Sequence, residues 1–232
     1  MGTHKTIFAL LVAIDNYPIS RHRLQGCIND RNALRNYLEK RFSGHEETTL
    51  KIKVLSDAEA TREGIIRAFR HFDQAKDGDL CIFYFSGHGS RAPAPPEFWH
   101  LDPDRMNESL VCYDSRLRRG KDLMDKEISY LIWKATHDRP NIHFLSLFDC
   151  CHSGTITKEI SVTPRMAEPS HVPTQLRDYT GFETYKKTQI DGQEAVSPPS
   201  GRYVQLAACG ERETAKELII GREKRGIFTY SL

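Results

Sequence analysis

The sequence predicts an α/β fold built on a mostly parallel sheet flanked by helices. Three observations predict it. First, three continuous apolar runs, "TIFALLVAID", "DLCIFYFSGHG" and "NIHFLSLFD", read as strands buried on both faces. Second, stretches of roughly a dozen residues with helical spacing of apolar positions lie between the strands, which is the pattern of βαβ units with right-handed crossovers. Third, each apolar run ends in a polar or glycine-rich turn carrying the chemically reactive residues, and in parallel sheets such turns gather along one edge.

The elements follow in order. "TIFALLVAID" ends at Asp15. The segment "NDRNALRNYLEKRF" places Ala33, Leu34, Tyr37 and Leu38 at helical spacing. "LKIKVLSD" alternates as a strand does, and "TREGIIRAFRHF" opens on Thr61 as N-cap and buries Ile65, Ile66 and Phe69. The second apolar strand leads into the turn that holds His88. Residues 90 to about 105 are proline-rich and polar and read as a loop, and "SLVCYD" reads as a short strand. "DKEISYLIWKATHD" puts Ile128, Leu131, Ile132 and Ala135 on one helical face before the third strand. Residues 156–201 lose periodicity and fill with prolines, serines, threonines and charges, a composition that marks a functional or disordered connection. "RYVQLAAC" returns as a strand and "GIFTYSL" begins like a helix, which suggests that the natural chain continues beyond Leu232.

Composition narrows the functional classes. The net charge of +2 argues neither for nor against nucleic acid; the basic residues are dispersed, the cluster Arg116, Arg118, Arg119, Lys121 reads as a solvated loop, and no nucleic-acid partner is expected. The longest apolar run, residues 7–14, falls well short of the ~20 residues that span a bilayer. The opening Met1-Gly2 with Thr6 fits the loose myristoylation pattern, but the first strand begins too soon to leave a tether. Six cysteines at spacings of no pairing motif, with no signal segment ahead of the first strand, point to a reducing compartment such as the cytoplasm.

The chemistry concentrates in two turns, "FYFSGHG" and "LFDCCHSG". Both follow strands of the same sheet, so His88 and the cysteine pair can meet across 63 residues of sequence (151 minus 88). Strand parity separates the pair: Asp149 and Cys151 point to one side and Cys150 to the other, which makes Cys150 a packed thiol. Read alone, His88 could be an ordinary turn histidine. A zinc site built from Cys150, Cys151, His152 and His88 lacks the C-x₂₋₄-C spacing, and a redox pair lacks C-x-x-C.

At these residues the sequence resembles the clan CD (peptidase C14) caspase-like cysteine peptidases, within them the metacaspase and bacterial orthocaspase group. "SGHG" resembles the family's histidine turn, "DCCHSG" its cysteine turn, and "LQGCIND" (residues 24–30) the element after the first strand. The animal caspase signature Q-A-C-[RQG]-G is absent. The resemblance implies a three-layer caspase-haemoglobinase fold, with residues 1–155 as the large-subunit part, 156–201 as a variable linker and candidate for processing, and 202–232 as the start of the small-subunit part, all in one domain. It implies a cysteine endopeptidase with Cys151 as nucleophile and His88 as acid–base partner, a dyad without a side-chain third member. Backbone N–H groups of Gly89 and Cys151 would hold the oxyanion, and His152 would be a non-catalytic neighbour.

By position, Asp30 and Asp149 match the acids of the family's S1 pocket, and Cys27 and Ser86 match its polar neighbours. Paired carboxylates suit a protein or peptide substrate with a basic P1 side chain, arginine before lysine, and repel an aspartate. Asp30 alone also suits a helix N-cap. Lys158, Arg165, Arg177, Lys186 and Lys187 are the linker's candidate self-cleavage sites or simply solvated positions. Many relatives use calcium, and the acids here are Asp102, Asp104, Glu108, Asp114 and Asp125. Lys126 and Lys158 stand where acids are expected, so the expectation is no metal and no cofactor, calcium included. The alternatives are an Asp-specific caspase-like protease and a catalytically silent scaffold; a regulatory partner or further domain beyond Leu232 stays open, and the family commonly acts as monomers.

Overall fold

A computed structural model describes residues 4–151, 163–209 and 215–232; the expectations for His152 and Lys158 fall outside them. In chain order the elements are β1 (Lys5–Ala13), α1 (Cys27–Phe42), β2 (Thr48–Ser56), α2 (Arg62–Ala68), β3 (Leu80–Ser86), β4 (Gly89–Pro93), β5 (Met106–Leu110), β6 (Leu123–Met124), α3 (Asp125–Thr136), β7 (His143–Asp149), β8 (Thr163–Pro164), β9 (Lys186–Ile190), β10 (Gln193–Ser197), β11 (Val204–Ala207), β12 (Lys216–Ile220), β13 (Glu223–Gly226) and α4 (Ile227–Ser231). Five strands form the central sheet in the order β11-β7-β3-β1-β2, every pair parallel. This is the expected α/β architecture.

Period two sorts the side chains of each strand onto two faces. Phe83, Phe85, Phe148 and Cys150 pack on one face with Ile65 of α2 and Ile128, Leu131 and Ile132 of α3. Ile82, Tyr84 and Leu147 face Leu34 and Leu38 of α1 on the other. The sheet is therefore the middle of three layers, and apolar burial on both faces is the main term holding it.

The register sets the edge where chemistry can occur. Ala13 sits beside Ser86 and Ser86 beside Asp149, in one row across β1, β3 and β7. The strand order reverses at β1, since β2 lies on one side of it and β3 on the other, and crevices in open sheets form at such points. By parity Ser86 and Asp149 point to the α1 side, and the strands end there, with His88 and Cys151 in the turns that follow.

Two local readings change. The N-terminus of α1 is held by Asp15, whose carboxylate accepts from the N–H groups of Cys27 (2.9 Å) and Ile28 (3.2 Å), so Asp30 is not the cap but a residue inside the first turn. Thr61 does cap α2, accepting from Gly64 N at 3.0 Å. The stretch 90–105 is not all loop, because β4 pairs antiparallel with β5, which itself ends at Leu110 instead of running through "SLVCYD". Residues 186–197 form a hairpin whose turn, Asp191-Gly192, has positive φ at both positions (51° and 77°). That Asp-Gly pair is the sequence signal for a type I′ turn. Among the described residues no helix is long and apolar enough to cross a membrane.

Because Asp15 satisfies two buried helix-end donors, Asp15→Ala is expected to lower stability by about 2 kcal/mol, at the upper end for a lost cap. Urea denaturation checks this, with a shifted midpoint and an unchanged slope expected.

Candidate active site

The central feature of the site is a side chain from the linker. Arg165 is fully buried, and its guanidinium lies 2.6 Å from Asp30, 2.9 Å from Asp149 and 3.6 Å from Glu217. It also donates to Ser86 Oγ at 3.0 Å. Asp30 comes from α1, Ser86 and Asp149 from adjacent strand ends, and Glu217 from β12. Cys27 lies buried at the start of the same helix as Asp30, and burial pushes its thiol pKa up. The four residues expected to line a basic-side-chain pocket are thus brought together, and a basic side chain fills it. Burial pushes the Asp30 carboxyl up to about 6, against the pull of Arg165 beside it.

Other groups fix the acids. Gly226 N donates to Asp30 at 2.8 Å, and Thr229 donates to Asp149 through both its N–H (3.1 Å) and its hydroxyl. Glu217 accepts from Gly26 N at 3.0 Å and Gln25 N at 3.3 Å. Gly226 is needed for space: a Cβ there would run into the Asp149 carboxylate and the Arg165 guanidinium.

The backbone of Arg165 is gripped as closely as its side chain. Its carbonyl oxygen accepts two hydrogen bonds, from Gly89 N and from Cys151 N, each 3.1 Å. Its own N–H donates to Ala215 O at 3.0 Å, and Thr163 and Pro164 pair antiparallel with β12. The carbonyl thus rests between the histidine turn and the cysteine turn, on the two N–H groups expected to hold an oxyanion.

His88 is buried, and burial pushes its imidazole down to about 4, so it is neutral at neutral pH. Its Nε2 lies 2.8 Å from the carbonyl oxygen of His22, and the Tyr17 hydroxyl accepts from its backbone N–H at 3.0 Å. Among the described residues no side-chain carboxylate orients the ring. A backbone carbonyl does, in a segment the sequence analysis passed over.

Cys150 packs in the main core, and burial raises its thiol pKa. The expectation of unpaired cysteines changes: Cys151 is bonded to Cys209 in a disulfide. Sequence spacing gave no hint because the pairing is made by the sheet, where β11 runs parallel to β7 with Ala207 beside Phe148. With its sulfur so bound, Cys151 carries no free thiol until a thiol reductant opens the bond.

The acids considered for calcium do not converge on an open site. Asp102 and Asp125 do meet, but on the buried Lys126 ammonium, at 2.6 and 2.8 Å. Asp104 pairs with Arg91, Asp114 accepts from Arg62 N, and Glu108 is exposed. Asp15, Cys27 and Glu217 offer ligand atoms close together, but both carboxylates already serve the N–H groups opening α1.

The metacaspase, peptidase C14 domain model matches residues 8–159, which include Asp30, Ser86, His88, Asp149 and Cys151. The chain belongs to the metacaspase family. It is 28% identical over 193 residues to metacaspase-4 of Arabidopsis thaliana, covering 79% of this chain and 43% of that one. It is 31% identical over 195 residues to metacaspase-9 of the same plant (81% and 54%) and 27% identical over 215 residues to metacaspase-1B of Aspergillus clavatus (88% and 49%). This metacaspase-family chain spans about half the length of the curated relatives it matches. A crystal structure of a Geobacter sulfurreducens protein shares the fold, with TM-score 0.50 and 24% identity over 66% of this chain and 52% of that one.

Sequence analysis of this metacaspase missed Glu217, Thr229 and His22. Glu217 is buried in "KELII" while Ile219, two positions on, is exposed, and nothing in the local pattern marks the glutamate as the buried one.

Removing the guanidinium leaves the buried Asp30 and Asp149 without their counter-charge and Glu217 with Lys224 alone, at 3.7 Å. In a Cys151→Ala background, Arg165→Gln is expected to destabilise the fold by roughly 3–5 kcal/mol. A urea midpoint unmoved by the substitution would contradict the buried ion cluster.

Proposed function

We propose that this chain is a cysteine endopeptidase that cleaves after arginine, and next after lysine, and that Arg165–Met166 is the bond it cuts in itself. One observation carries the reading: the linker's Arg165 has its guanidinium among three carboxylates while its carbonyl oxygen sits on two backbone donors beside Cys151 and His88. A substrate arginine would need the same two grips. Of the four basic linker positions among the described residues, Arg165 is the one held this way. Lys186 and Lys187 lie exposed on β9, and Arg177 lies in the turn around residues 176–178.

The steps follow from the placement of groups. Once the Cys151–Cys209 bond is reduced by a dithiol, His88 takes the Cys151 proton and the thiolate attacks the carbonyl carbon of Arg165. Negative charge moves onto the oxygen held by Gly89 and Cys151 N–H, donors of a kind whose loss typically costs ~10²–10³ in rate. The bond to Met166 breaks, and the departing amine takes the proton from His88. Water then attacks the thioester, giving its proton to His88, and Cys151 leaves as the thiol. Arginine fits better than lysine because its planar fork reaches Asp30, Asp149 and Ser86 at once. An aspartate would meet three like charges.

Calcium is not part of this reading. The Lys126 ammonium supplies, from within the chain, the positive charge that Asp102 and Asp125 share, and a lysine is no ligand for Ca²⁺.

In dithiothreitol the wild-type protein is expected to release a fragment starting at Met166, seen by intact mass, and Cys151→Ala is expected to stay whole. The processed protein should then cut fluorogenic peptides ending in Arg over Lys and leave those ending in Asp. Preference for Asp, or a silent protein after reduction, overturns the reading. Chelating calcium should change the rate by less than about twofold, whereas Lys126→Asp should make it respond to added Ca²⁺.

A further inference from the structure

Ser90 and Arg116 take no part in the chemistry just described, yet both are buried or nearly so and aim at the same stretch of chain. Past Arg165 the linker runs along β4. Met166 bridges Gly89 in parallel, Ala167 N donates to Gly89 O at 2.9 Å, and Ser170 N donates to Arg91 O at 2.8 Å. Ser90 Oγ lies 3.2 Å from the carbonyl oxygen of Ala167 and 2.8 Å from that of Glu168, its single proton serving one at a time. The Arg116 guanidinium donates to Glu168 O at 3.1 Å and to Ser90 Oγ at 2.9 Å. Its other nitrogen is held by the buried Asp122, which also accepts from Ser109 Oγ at 2.9 Å. Arg116 is thus fixed from behind and points its free edge into the cleft.

These contacts are almost all to backbone, so they read the length and extension of a chain and ignore most of its sequence. Two side chains along this stretch are buried, Ala167 (5%) and Ser170 (7%), and the first joins the apolar core. Ala167, the second residue past the Arg165–Met166 bond, is buried in the main core cluster, while Glu168 is exposed. The Glu168 carboxylate meets Arg21 at 3.6 Å with both side chains about two-thirds or more exposed (71% and 67%), a pair worth little in water.

From this we propose that β4, Ser90 and Arg116 form a binding site for the leaving side of the substrate. The enzyme would hold an extended chain for about five residues past the cut, with a small residue required at the second. The proposal rests on reading Arg165 as the residue before the scissile bond, and it adds a specificity determinant on the other side. Its consequence is that substrates carrying only a dye after the arginine lack half of the recognition, and that accessible, extended segments of folded proteins are the natural targets.

The test uses the processed full chain in dithiothreitol and two quenched fluorescent peptides copied from its own linker, residues 160–166 and 160–171. Both contain the Arg165–Met166 bond. The longer peptide is expected to have a kcat/KM about tenfold or more above the shorter one, as two or three hydrogen bonds, one of them charged, would give. That ratio should fall towards one in Arg116→Gln and fall severalfold in Ser90→Ala. In the longer peptide, Ala167→Phe should abolish the gain, and Glu168→Lys should change it by less than about threefold. Equal rates for the two peptides overturn the proposal, as does a ratio that Ser90→Ala and Ala167→Phe both leave intact. Should Arg116→Gln fail to fold because Asp122 loses its partner, the Ser90→Ala and peptide comparisons still decide. If both peptides are cut after Arg165 at the same rate, the arginine preference stands and only the leaving-side site falls. If neither is cut, the arginine reading falls and this site with it.

Discussion

The burial of one guanidinium among three carboxylates is the constraint on which the rest of the site depends. Asp30, Asp149 and Glu217 could not lie within reach of one another in a dry pocket without a cation between them. Each acid arrives on a different element, so the arginine ties α1, β7 and β12 together. It also draws in the start of α4, since Gly226 and Thr229 hydrogen-bond the same acids. On the proposed reading, a pocket so built would be selective because its carboxylates lack a counter-charge when it is empty. Buried like charges raise one another's pKa, and the strongest relief is a side chain carrying a permanent positive charge and several donors.

The sheet supplies the second half of the arrangement. Parallel strands of matched length put Ser86 and Asp149 in one row, and the turns holding His88 and Cys151 follow within two residues. Their turns then present backbone N–H groups to one point in space, where the Arg165 carbonyl lies. The catalytic groups and the pocket acids are positioned by the same register, so a slip of one residue in β3 or β7 would remove both at once.

Much of this was legible in the sequence because it follows from periodicity. The three apolar runs, the two reactive turns and the packed Cys150 all come from strand parity and strand ends. What could not be read was whatever depends on contact between distant segments. Glu217 lies on a short strand whose exposed residues are apolar, and its burial is set by its partners at Gln25 and Gly26. Asp15, not Asp30, caps α1 because the first strand returns it to the helix end, which no local motif records. Arg165 looked like any of five basic residues in a polar stretch until the fold placed it in the pocket. The β9–β10 hairpin was different, since its Asp-Gly turn was present in the sequence and was passed over amid the surrounding polar residues.

The pairing of β11 with β7 decides what a break in the linker would produce. β11 comes from the far side of Arg165 but lies in the central sheet beside a strand from the near side, and α4 shares the α1 face through Phe228. A chain severed between residues 165 and 166 would therefore not come apart into two proteins. It would become one body with two chains, held by a shared sheet and a shared set of pocket acids. The new carboxyl terminus would be left inside the cleft as a ligand with no covalent tether to the strands beyond it. Opening the enzyme would then be an ordinary dissociation, governed by how tightly that terminus binds and no longer by the stability of the fold.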